Sequence, residues 1–134
     1  MDITFTENIP EKHAYYNLFK TTGWQTTAEA ADLMLALHNS WLTLSVYDQD
    51  QLVGFGRVVS DGVMYAMIYD LIVRPEYQGK GIGKSILEKL INRCKMQGIQ
   101  QVQLFCAKGK IQFYERFGFQ VRPEDAPGMQ LTIR

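Results

Sequence analysis

Apolar and polar residues alternate over residues 3–7, the pattern of a short half-buried strand. From residue 11 to 20 the spacing becomes helical, with Tyr15, Leu18 and Phe19 on one side, and Thr21-Thr22-Gly23 ends the run. Thr26, followed three residues later by Glu29, predicts a capping box and a second helix whose apolar face carries Leu33, Met34 and Leu37. Two alternating runs rich in β formers, 41–48 and 51–60, flank Asp48-Gln49-Asp50 and predict a hairpin. Asp61-Gly62 marks another turn, and residues 63–73 predict a long strand that Pro75 stops. The clearest helix follows: Ile82, Ile86, Leu87, Leu90, Ile91 and Cys94 recur at helical spacing up to Gly98. A strand over 101–106, a short helix over 110–117 ended by Gly118, and strands over 119–122 and 129–133 complete the expectation. Helices interrupting both hairpins and crossovers predict an α/β (α+β mixed) fold. Its sheet is mixed and largely antiparallel, flanked by about four helices, and not doubly wound.

The 134 residues suffice for one core, and a single domain over 1–134 is expected. With 46% hydrophobic and 21% charged residues the chain reads as globular. Its net charge of +0 argues against a general nucleic-acid binder. No basic segment with an apolar stretch opens the chain, and no run approaches the roughly 18 apolar residues of a membrane helix. Cys94 and Cys106 lack metal-ligand spacing, so no metal is expected and a reducing, cytoplasmic location follows.

Read by position, the zero charge divides. Residues 1–50 carry 7 acidic and 2 basic side chains, and residues 51–134 carry 7 and 12. The basic excess gathers around Tyr77-Gln78-Gly79-Lys80-Gly81-Ile82-Gly83-Lys84-Ser85, between a strand and a helix. Free amides at a helix start attract anions, and glycines let a phosphate approach the backbone. The segment therefore reads as a phosphate cradle. A P-loop would need glycine where Gln78 stands, which discourages a nucleotide-binding reading, and the dinucleotide fingerprint needs one more residue between the last two glycines.

The spacing Gln78-Gly79-Lys80-Gly81-Ile82-Gly83, preceded by Asp70-Leu71-Ile72-Val73-Arg74-Pro75, resembles the acyl-CoA loop of the GNAT superfamily of N-acyltransferases. Phe113-Tyr114-Glu115-Arg116-Phe117-Gly118-Phe119 resembles that family's later motif. Gly23-Trp24, Leu52-Val53-Gly54, Tyr69-Asp70-Leu71, Gln103-Leu104-Phe105 and Gly128-Met129 narrow the likeness to plastid-type serotonin or lysine acetyltransferases and their small bacterial relatives. The resemblance implies an acetyl-CoA-dependent N-acetyltransferase in which a primary amine, on a small molecule or a lysine, attacks the thioester directly. Acetyl-CoA is then a cosubstrate, and neither nucleic acid nor membrane is a partner; a homodimer is compatible with the reading.

The resemblance also assigns roles. Amides over 79–84 would hold the pyrophosphate, with Ser85 beside them and Gln78 fixing the loop. The backbone of Leu71, Ile72 and Val73 would line the pantetheine arm, although these residues serve equally as an apolar core strand. Tyr114 takes the family's acid position, against the alternative of a ring packed on a helix face. Asp70 is the candidate base for an ammonium acceptor, or a hydrogen-bonded structural carboxylate. Two departures stand out: Val102 replaces a glutamate that some relatives carry, and Ala107 replaces an Asn or Asp, leaving Lys108 or Gln112 to supply that cofactor contact. His13 and His38 read as surface or capping residues, and Trp24, Trp41, Tyr65 and Tyr69 as acceptor-pocket walls or core. A non-catalytic acyl-CoA-binding regulatory module is the alternative function.

Overall fold

The computed structural model describes residues 1–133. In it the chain forms two compact units, Met1–Leu104 and Phe105–Arg134. The first holds one five-stranded sheet whose spatial order follows the chain: β1 (Ile3–Thr6), β2 (Leu42–Asp48), β3 (Gln51–Ser60), β4 (Tyr65–Val73) and β5 (Gln101–Leu104). The first four strands pair antiparallel through hairpins, and β5 runs parallel to β4 after a helical crossover. The mixed, mostly antiparallel sheet expected from the pattern is the one that forms.

Helices α1 (Lys12–Lys20) and α2 (Ala30–His38) cover one face, where Tyr15, Leu18, Phe19, Leu37, Leu52, Phe55 and Ile72 make a buried cluster. Helix α3 (Ile82–Gln97) covers the other with Ile82, Ile86, Leu87, Leu90 and Cys94. Alternation along β3 directs Phe55 to the first face and Gly54 and Gly56 to the second. A Cβ at Gly56 would stand 2.9 Å from Ile86 Cγ2 and 3.0 Å from Leu90 Cδ1, so the glycine is what lets α3 lie this close. Leu90 is fully buried there. Leu90→Ala is expected to cost about 2–5 kcal/mol, read as a lower urea midpoint with an unchanged slope.

One irregularity inverts the faces of β4. Arg57 pairs with Tyr69 and Phe55 with Ile72, so two steps along β3 oppose three along β4. The extra residue falls around Asp70, whose φ is +56°, a left-handed conformation rare outside glycine. Before it, Ile68 pairs with Val58 on the α3 face; after it, Ile72 joins the α1/α2 cluster, while Leu71 and Val73 point at α3.

Several expectations shift. Helix α2 begins at Ala30, with Asp32 Oδ2 accepting from the Glu29 amide at 3.0 Å; Thr26 Oγ1 instead accepts from Ala28 N–H. The expected cap was thus three residues early, because two acidic residues at the same spacing compete for the same role. Strand β4 starts at Tyr65, not at 63, since Asp61 Oδ1 takes the amides of Val63, Met64 and Tyr65 into the turn.

The second unit contains α4 (Ile111–Glu115), shorter than expected. Tight bonds from Phe117 N–H to Tyr114 C=O and from Gly118 N–H to Glu115 C=O close its end, with Gly118 at φ +95°. Phe113 packs edge-on against Tyr114 and Phe117, and Tyr114 against Phe119. The two final strands expected over 119–122 and 129–133 do not form. Alternation licenses a strand, but every ladder bond needs a neighbour, and none pairs with either run among the described residues.

Candidate active site

Pro75 opens a single 3-10 turn, Pro75–Tyr77, and the chain then crosses Gln78, Gly79, Lys80 and Gly81 into α3. Gly79 and Gly81 have φ of +77° and +84°, and a Cβ on either would meet nothing within 4 Å. The loop is therefore bent by glycine conformations and open on its outer side. Among the described residues no amide over 79–84 donates to a backbone carbonyl; the first bond of α3 is Ser85 N–H to Gly81 C=O at 3.1 Å. Ser85 thus spends its amide on the helix. Gly81, the N-cap, offers no side-chain acceptor, so the amides of Ile82, Gly83 and Lys84 stay free at the positive end of a 16-residue helix. With exposed Lys80 and Lys84 alongside, these residues fit a pyrophosphate.

Two side chains hold the loop. Gln78 Nε2 donates to Val73 C=O at 3.0 Å, tying it to the end of β4. Tyr77 OH donates to Asp48 Oδ2 at 2.6 Å, tying it to the β2–β3 hairpin. That bond, helped by the Asp2 amide, keeps the Asp48 carboxyl below its usual range and raises the Tyr77 phenol. Gln78 was legible in the sequence; the Tyr77–Asp48 tie, 29 residues apart in the chain, carried no sequence signal.

Next to the loop, β5 accompanies β4 only from Tyr65 to Ile68. The same edge of β4 over 69–73 has no strand beside it among the described residues. Backbone groups of Leu71, Ile72 and Val73 can pair there with an extended amide-bearing arm such as pantetheine. Their side chains are core, as the alternative reading held: Ile72 is 3% exposed, and Leu71 and Val73 lie against Gly56 and Gly83.

Asp70 lies on the α1/α2 side. Its Oδ2 accepts from Arg57 Nε at 2.6 Å and from Tyr15 OH at 3.4 Å, and Arg57 Nη1 continues to Ser40 Oγ at 3.2 Å. Tyr69 lies beneath the guanidinium, 5.6 Å from ring centroid to Cζ. Burial, and then the Asp70 charge, push the Tyr15 phenol far above its ordinary range, so Tyr15 is a permanent donor. Among the described residues both side-chain bonds to Asp70 end on Oδ2, leaving Oδ1 for another donor. Arg57 and Tyr15 were missed in the sequence, although Arg57 is the one charge in β3 and could have signalled a buried counter-ion. Asp70→Asn leaves a half-buried guanidinium without its charge partner. The expected loss of stability is about 1–3 kcal/mol, measured by urea unfolding.

In the second unit, Gln112 and Tyr114 stand on α4. Tyr114 is half-buried, and burial raises its phenol above the ordinary value near 10, with a smaller push from Cys106. Ala107 and Lys108 lie on the exposed turn before α4. The proposed pocket aromatics do not converge: Trp24 stacks edge-on with Phe19, Trp41 lies under Arg93, and only Tyr65 and Tyr69 share the Arg57 face. His13 and His38 are exposed.

Comparison with known proteins adds four findings. The sequence signature of the Acetyltransferase (GNAT) domain matches residues 39–121. The chain is 35% identical over 108 residues to the soybean "Histone acetyltransferase TAP1", covering 72% of this chain and 47% of that protein. It is 31% identical over 121 residues to an "Uncharacterized N-acetyltransferase ycf52" from Gracilaria tenuistipitata, covering 87% and 66% respectively. This chain thus spans about half the length of the soybean relative and about two-thirds of the algal one. Among solved structures, a protein from meticillin-resistant Staphylococcus aureus described as a "Probable Acetyltransferase" superposes with a TM-score of 0.88 at 29% identity, covering 97% of this chain and 98% of its own.

Proposed function

The chain belongs to the GNAT acetyltransferase family, and from that premise we propose that it transfers the acetyl group of acetyl-CoA to a primary amine, on a small molecule or a lysine, by direct attack. The observation that carries the cofactor half is the open glycine loop, whose amides over 79–84 are free beside the unpaired half of β4. In this reading those amides, Lys80, Lys84 and the Ser85 hydroxyl bind the pyrophosphate, and Gln112 adds a further cofactor contact. The backbone of Leu71, Ile72 and Val73 aligns the pantetheine arm, and one of its N–H groups polarises the thioester carbonyl.

The amine nitrogen attacks the carbonyl carbon, a C–N bond forms and the C–S bond breaks. The departing thiolate takes a proton, assigned to Tyr114, and the ammonium centre gives one up. Asp70 attracts the cationic amine through Oδ1 and passes its proton to water; this is supported by the free oxygen that the Arg57 and Tyr15 bonds leave. Two free thiols, Cys94 buried and Cys106 exposed, suit a reducing, cytoplasmic setting. Among the described residues no helix is long and apolar enough to cross a membrane.

The test is thiol release from acetyl-CoA in the presence of a panel of small amines and lysine peptides. Release that depends on the amine is expected. Tight acetyl-CoA binding with no release from any amine would make the chain a binding module instead.

A further inference from the structure

One network inside the Met1–Leu104 unit is only half used. Four segments meet at the bulge of β4: Arg57 from β3, Tyr15 from α1, Ser40 from the stretch after α2, and Asp70 itself. Arg57 Nε and Tyr15 OH both donate to Asp70 Oδ2, and Arg57 Nη1 donates to Ser40 Oγ. Bonds at two different nitrogens lock the plane of the guanidinium, with Tyr69 beneath it. Two atoms are left over. Asp70 Oδ1 and Arg57 Nη2 carry no hydrogen bond among the described residues. Their side chains are only 19% and 17% exposed, yet no unpartnered polar atom of such a residue is sealed from solvent, so this unit leaves both atoms open. A single 2.6 Å bond joins their two groups, so they lie no more than about 7 Å apart.

We propose that this pair recognises the acceptor and that the acceptor is a small α-amino acid: Oδ1 takes its ammonium and Nη2 takes its carboxylate. The proposal rests on the acetyl-transfer reading and narrows its acceptor. Charge carries the argument. Arg57 and Asp70 sum to zero in a half-buried place, where an uncompensated charge is costly. An amine with an apolar body would leave the place positive, and a lone carboxylate would leave it negative. An α-amino acid brings both charges, keeps the sum at zero and sets each beside its opposite. Its ammonium and carboxylate stand about 3 Å apart, so with a hydrogen bond at each end it spans the distance from Oδ1 to Nη2. A lysine side chain has no anion so near its amine. The free guanidinium edge also favours a carboxylate over a neutral carbonyl, because both partners are then ionised.

NMR titration of the full chain, with and without saturating CoA, tests this with glycine, ethylamine, acetate and glycinamide as probes. Glycine is expected to bind at least about tenfold tighter than ethylamine or acetate, each of which satisfies one end only, and tighter than glycinamide. Arg57→Lys keeps a cation beside Asp70 but gives up the second nitrogen, and should lower the glycine-to-ethylamine ratio to below about threefold. The wild-type series decides even where the variant does not fold. Thiol release from acetyl-CoA is followed in parallel: selective glycine binding without release supports the subsite and overturns the transfer reading. Ethylamine that binds as tightly as glycine, or glycine that does not bind, overturns the subsite whatever is released. So does glycinamide equal to glycine, which would assign the oxygen to a peptide terminus, or a ratio that a folded Arg57→Lys leaves unchanged.

Discussion

In calorimetric titration, Gly81→Val weakens acetyl-CoA binding about 100-fold or more. The argument has two parts. Gly81 sits at φ +84°, where a side chain costs about 1–2 kcal/mol and a β-branched one more. Its missing Cβ also faces open space beside the free amides of Ile82, Gly83 and Lys84, so valine methyls would stand where the phosphates approach. Together these reach about 3 kcal/mol, two decades in affinity. Gly83→Ala is the internal control. Its φ is not positive, and its Cβ would meet Val73 Cγ2 at an ordinary 3.6 Å, so binding should change less than about threefold. Equal losses at the two positions would show that the loop does not act as a backbone cradle.

Tyr114→Phe is expected to lower kcat about 100-fold, with acetyl-CoA affinity unchanged. The substitution keeps the ring that packs against Phe113 and Phe119 and removes only the hydroxyl, so it separates the acid from the packing role. Burial holds the phenol above its ordinary value, and a general acid must be protonated. Wild-type turnover should therefore show no alkaline loss from this group below about pH 10. An unchanged kcat would return Tyr114 to the helix face as a core residue.

The central elements were legible because their signals are local. Helix α3 announces itself through six apolar residues at helical spacing and Gly98, and the glycine loop through three alternate glycines between a strand and a helix. What the sequence hid depends on distance or competition. Asp70 was visible as a carboxylate in an apolar strand, but its partners Tyr15 and Arg57 lie 55 and 13 residues away. The cap of α2 was misplaced because Thr26–Glu29 and Glu29–Asp32 offer the same spacing. The final strands failed for a different reason: a strand is a property of two chain segments, and periodicity in one says nothing of the other.

The bulge at Asp70, more than the composition of β4, lets one strand serve both halves of the core. Because the extra residue inverts the pleat midway, Ile68 and Ile72 serve opposite faces although they lie an even number of positions apart. A strand pleated regularly through all nine residues would turn Ile72 towards α3 and Leu71 and Val73 towards α1 and α2. Deleting Asp70, by contrast, would leave two steps opposite two and keep Leu71, Ile72 and Val73 on their present faces. Straightening the strand at full length would therefore rewire both cores at once, whereas losing the extra residue would cost the Asp70 carboxylate and spare the packing.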